Sequence, residues 1–91
     1  MSFLFESLHD ATLVSTEFIW QTGSVNILLR TSTNPDFKLR VTEVKAFQVT
    51  RNFDWGPSEQ LNDIKISEEL VSIEMQSGDI IQIQGRISIP A

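Results

Sequence analysis

Apolar and β-branched side chains recur at every second position in short runs, each stopped by Gly, Pro, Asn or Asp, and this alternation constrains the fold more than any other feature. A strand points successive side chains to opposite faces, so such runs bury one side only as sheet. Val, Ile and Thr supply 23 of the 91 residues, and the pleated backbone accommodates their restricted χ1. No long segment carries the i, i+3, i+4, i+7 spacing of an amphipathic helix. Residues 1–91 are too few for a second core and read as a single all-β domain. The expected architecture is a compact antiparallel β-sandwich or strongly curled sheet of about six or seven strands. Phe3, Leu4, Phe5 and Leu8 are expected to close one end as one short helical turn.

Two hairpins stand out. Thr12, Val14, Thr16, Phe18 and Trp20 alternate, as do Val25, Ile27, Leu29 and Thr31, and a two-residue Thr22-Gly23 turn with positive φ at Gly23 would set Trp20 against Val25 and Phe18 against Ile27. Val71, Ile73 and Met75 alternate, as do Ile81, Ile83, Ile87 and Ile89, and a Ser77-Gly78-Asp79 loop would set Met75 against Ile81 and Ile73 against Ile83. That register puts Gly85 opposite Val71, where a bulge or close approach is expected.

Between the hairpins, Phe37, Leu39 and Val41 change phase to Val44 and Ala46, predicting one long bent strand with a bulge near Thr42-Glu43. Residues 59–67 are read as a short strand, although Leu61 and Ile64 also fit one helical turn capped by Ser58. The expected core is Val14, Phe18, Ile27, Leu29, Leu39, Val41, Ile73, Met75, Ile81 and Ile83, with Trp20 also inside.

Seven Lys and Arg against 12 Asp and Glu give a net charge of −5, which repels phosphate backbones and anionic lipid heads, so no nucleic-acid or membrane partner is expected. The absence of cysteine removes disulfides, thiolate metal sites and Cys nucleophiles, and fits a cytoplasmic location. The apolar run at Phe3-Leu4-Phe5 lacks a basic lead and is too short for a signal peptide or span. One histidine and no cysteine make a zinc site unexpected, the calcium-loop spacing is missing around Asn52, Asp54, Asn62 and Asp63, and no phosphate-cradling or nucleophile-elbow motif occurs. No metal, cofactor or catalytic residue is therefore expected.

The residues singled out for binding lie in two places. In the irregular stretch around Phe53, Trp55 could stack on a sugar ring or anchor a protein while Asn52, Asp54 and Ser58 orient the contact; alternatively, Trp55 plugs the open end of the core and Gly56-Pro57 turns the chain. His9-Asp10 sets an imidazole beside a carboxylate, with Ser7 near, as a base and its orienter would be. Neighbours on extended chain point apart, so these two are read as fixing the turn before the first strand. Few lysines guard the sheet edges, and the second hairpin carries Ser72, Glu74, Gln76, Gln82 and Gln84 outside, so a homodimer by sheet extension is expected.

Leu8-His9-Asp10-Ala11-Thr12-Leu13, the Trp20-x-x-Gly23 turn, Trp55-Gly56-Pro57-Ser58 and Glu74-Met75-Gln76-Ser77-Gly78-Asp79 together resemble a family of small, uncharacterised bacterial all-β proteins. The opening Leu-His-Asp-Ala segment is also similar to some bacterial toxin-immunity proteins. The first resemblance implies an all-β fold and no activity; the second implies a protein partner. The function expected is a non-catalytic interaction or structural module, with a small-ligand or carbohydrate-binding domain and an immunity-type binder as alternatives.

Overall fold

The computed structural model describes residues 10–31 and 37–88. They form six strands, β1 (Thr12–Ile19), β2 (Ser24–Arg30), β3 (Phe37–Val49), β4 (Leu61–Ile66), β5 (Leu70–Met75) and β6 (Ile80–Ser88), and no helix. All pair antiparallel in one sheet ordered β1-β2-β3-β6-β5-β4. The fold is all-β, and of the two expected forms the chain adopts the curled single sheet rather than a two-sheet sandwich. No helix among these residues is long and apolar enough to cross a membrane. The helical turn expected at Phe3, Leu4, Phe5 and Leu8 lies outside the described residues, as does Ile89.

Curling brings the two edges together at one end only. Leu13 N–H donates to the Glu59 carbonyl (2.7 Å), Leu61 N–H to Ala11 (2.9 Å) and Asp10 N–H to Leu61 (3.0 Å), around a Thr12–Gln60 bridge. Beyond that bridge no ladder joins β1 to β4 among the described residues, so the sheet is not closed into a barrel.

Three bulges bend it, since an extra residue in one strand increases local twist. In β3 the register shifts between Thr42 and Ala46, as the phase change predicts, with Glu43 at φ 53°. Gly85 lies opposite: a Cβ there would sit 2.8 Å from the Thr42 carbonyl oxygen and 2.8 Å from Val41 Cγ1. The expected close approach at Gly85 is therefore real, but its neighbour is the β3 bulge rather than Val71, which pairs with Ile83. In β4 the bulge between Leu61 and Asp63 turns both Leu61 and Ile64 inward, which explains their helix-like spacing.

The third bulge, between Leu13 and Ser15, overturns part of the expected core. It faces Leu13 toward Leu29 and leaves Val14 44% exposed. Phe18, near the end of β1, is 38% exposed, and Trp20, in the turn that follows, is 84% exposed. The remaining expected core residues are buried, joined by Val25, Leu61, Val71 and Phe37.

Both hairpins are offset by two residues from the expected register. Phe18 pairs with Val25 and Thr16 with Ile27, around a four-residue turn closed by Gly23 N–H on the Ile19 carbonyl (2.9 Å), with Gly23 at φ 64° as expected. Ile73 pairs with Ile81 and Val71 with Ile83, around a Gln76-Ser77-Gly78 loop in which Met75 N–H donates to the Asp79 carbonyl (2.8 Å). A slip of two keeps every side chain on its face, so hydrophobic pattern alone does not separate the two registers. β5 and β6 are also interior strands, so the second hairpin offers no edge for self-pairing; among the described residues the edges are β1 and β4.

Candidate functional site

Loop 50–58 leaves β3 and is held by the β5–β6 turn. The anchor is Asp79, 3% exposed, whose Oδ1 accepts Asn52 N–H (2.6 Å) and Thr50 Oγ1 (2.9 Å), and whose Oδ2 accepts Phe53 N–H (2.9 Å) and Ser77 Oγ (2.8 Å). Four donors saturate the carboxylate. Led by the Asn52 backbone bond and helped by Phe53, Ser77 and Thr50, they outweigh burial and hold its pKa down from 3.8 to about 2. Phe53 adopts φ 56°, and the Arg51 guanidinium lies 4.5 Å from its ring centroid.

That anchoring sets the expected binding residues. Trp55 N–H donates to the Ser77 carbonyl (2.9 Å), and its indole lies against Gly78, where a Cβ would meet the ring at 3.0 Å. Trp55 remains 69% exposed and does not plug the core. Asn52 and Asp54 are exposed on the same loop, while Ser58 Oγ accepts Gln60 N–H (3.1 Å) and so shapes the entry to β4 rather than capping a helix. Asp10, at φ 68°, does mark a turn, but its carboxylate accepts the Gln76 side-chain amide, which also donates to the Leu61 carbonyl (3.2 Å). His9 lies outside the described residues. Asn62 bonds Glu74 (3.0 Å) and Asp63 Oδ1 accepts Ile64 N–H (2.9 Å), both within β4 and its neighbour. No group of three or more His, Asp or Glu suited to a metal ion occurs among the described residues.

No protein-family model matches the chain, and no curated protein or solved structure matches it.

Of the concavities that border β1, two are lined by its Thr16 or its Phe18. One, of about 410 Å³, lies between β1 and loop 50–58, with Leu13, Val49, Phe53, Met75 and Ile81 among its walls. Thr16 lines it too, and the Thr16 hydroxyl is buried with no hydrogen-bond partner among the described residues. The other, of about 380 Å³, is formed by Phe18, Trp20, Val44, Lys45, Ala46 and Phe47. Here the Phe18 ring sits 5.6 Å from Phe47 and meets Trp20 edge-on at 5.8 Å, a pre-arranged aromatic cluster open to solvent.

Sequence reasoning missed Asp79, Thr16 and this cluster. The clustering depends on which half of β3 faces β1, which the bulge at Glu43 decides. The role of Asp79 depends on a loop far away in sequence, and Ser-Gly-Asp by itself reads only as a turn.

Proposed function

We propose that the protein is a non-catalytic protein-binding module that self-associates by extending its sheet at β1. The observation that carries this is the character of that edge. Past the Thr12–Gln60 bridge, β1 is a sheet edge among the described residues, its only charge is Glu17 and it is bordered by exposed Val14, Phe18 and Trp20, whereas β4 carries Asp63 and Lys65. Natural sheets blunt their edges with charges, so a strand left nearly uncharged and rimmed by aromatics suits pairing. A two-fold axis through Thr16 sets Phe18 against the partner's Val14 and Glu17 against Ser15, so the acidic side chains do not face each other. Each aromatic cluster then supplies buried anchors beside the new ladder. An immunity-type complex is a second instance of the same edge at work, with a foreign strand in place of the copy. The cytoplasm is the proposed location, and neither nucleic acid nor membrane belongs to the proposal at a net charge of −5.

Sedimentation equilibrium tests it. The wild-type chain is expected to be dimeric at micromolar concentration and Ser15→Lys, on the exposed side of the edge, monomeric. A wild type that stays monomeric contradicts the proposal.

A second reading is favoured by Trp55, whose indole is backed by Gly78 and open on the other side, with Asn52 and Asp54 exposed on the same loop. A backed, exposed ring of this kind suits stacking on a carbohydrate. Quenching or enhancement of tryptophan fluorescence by sugars, lost in Trp55→Ala, supports it; an unresponsive wild type removes it.

A further inference from the structure

We infer that the cavity between β1 and loop 50–58 binds a small neutral molecule that combines an apolar ring or short branched chain with a single hydroxyl or carbonyl. This does not depend on self-association. The volume of about 410 Å³ falls within the range of about 300–1,000 Å³ usual for ligand sites. Leu13, Val49, Met75 and Ile81 give it apolar walls, and the Met75 thioether adapts to irregular shapes.

The Thr16 hydroxyl, without a partner among the described residues, selects the polar group. A buried hydroxyl without a partner is costly, and a ligand oxygen that meets it, once a turn of the Thr16 side chain opens it to the cavity, recovers that cost on binding. Charge selects neutrality. Asp79 also lines the cavity, but its oxygens are occupied by Thr50, Asn52, Phe53 and Ser77, so it has no acceptor site left for a cation. Arg51 against Glu59 and Asp79 leaves the lining one net negative charge, which disfavours an anion, while the donors that saturate Asp79 leave a cation no direct contact with it. Asn52, Asp54 and Trp55 do not line this cavity, so it is distinct from the exposed face of the Trp55 loop.

The test uses a matched pair of probes, benzyl alcohol and toluene, titrated into the full-length chain while the methyl resonances of Leu13, Met75 and Ile81 are followed. Both probes are expected to shift those methyls, with the alcohol favoured. Thr16→Val is expected to weaken benzyl alcohol roughly fivefold, the worth of one hydrogen bond, and to leave toluene unchanged. Thr16→Ser is expected to restore the preference. The inference is overturned if neither probe moves the cavity methyls of a folded wild type, if Thr16→Val weakens both probes equally, or if residues 1–9 give contacts to Thr16 showing that the chain fills the cavity itself.

Discussion

The Asp79 carboxylate accepts the backbone N–H of Asn52 at 2.6 Å across 27 residues of sequence. One turn of the second hairpin thereby fixes the loop that presents Trp55 and walls the cavity beneath β1. The folded pKa of about 2 lies below the ordinary 3.8, so the stabilisation is complete above about pH 4 and is lost as pH falls toward 2. Asp79→Asn is expected to lower the melting temperature at pH 7, with the gap to wild type narrowing between pH 4 and pH 2. A gap that is constant over that interval contradicts the anchoring role.

Gly85 is required by space, not by backbone conformation. A Cβ would overlap the Thr42 carbonyl oxygen and Val41 Cγ1, both at 2.8 Å, and lie 3.1 Å from Val44 Cα, atoms belonging to the bulged segment of β3 and its flank. Gly85→Ala is expected to destabilise by about 2 kcal/mol through overpacking, measured by urea unfolding. Gly23→Asn, at φ 64° with open surroundings, is expected to cost less than about 1 kcal/mol.

The bulge at Val14 makes a paired prediction. Val14→Ser on the exposed bulge is expected to change stability by no more than about 0.5 kcal/mol, whereas Leu61→Ala in the buried core is expected to cost about 3 kcal/mol. Equal losses at the two positions would mean that Val14 points inward.

Self-association between chains of charge −5 opposes long-range repulsion, which salt screens. Raising ionic strength is therefore expected to tighten the dimer, and analytical ultracentrifugation at two salt concentrations reads this directly. Weakening by salt would point to ion pairs at the interface instead of backbone pairing and aromatic burial.

The elements were largely legible because alternation is local. Phe37, Leu39 and Val41 announce β3, and the phase change to Val44 announces its bulge. What period two does not carry is register, since a displacement by two residues leaves Ile73 and Ile83 equally buried; the turns decide it, through Gly23 and Gly78 at positive φ. The bulge at Val14 resets the phase of β1 without any turn residue to mark it, which is why Val14 reads as core; Phe18 keeps the alternation, opposite buried Val25, and is exposed only because it lies near the end of the strand. The sequence marks Trp55 and Asn52 as binding candidates but leaves open whether Trp55 plugs the core, whereas Asp79, which positions them, is recognisable only from contacts between distant segments.

Hydrogen–deuterium exchange as a function of protein concentration tests the β1 interface most directly. The amides of residues 15–19 are expected to gain protection as concentration rises, while those of β4 do not. Concentration-independent exchange in β1, or added protection confined to β4, contradicts sheet extension at this edge.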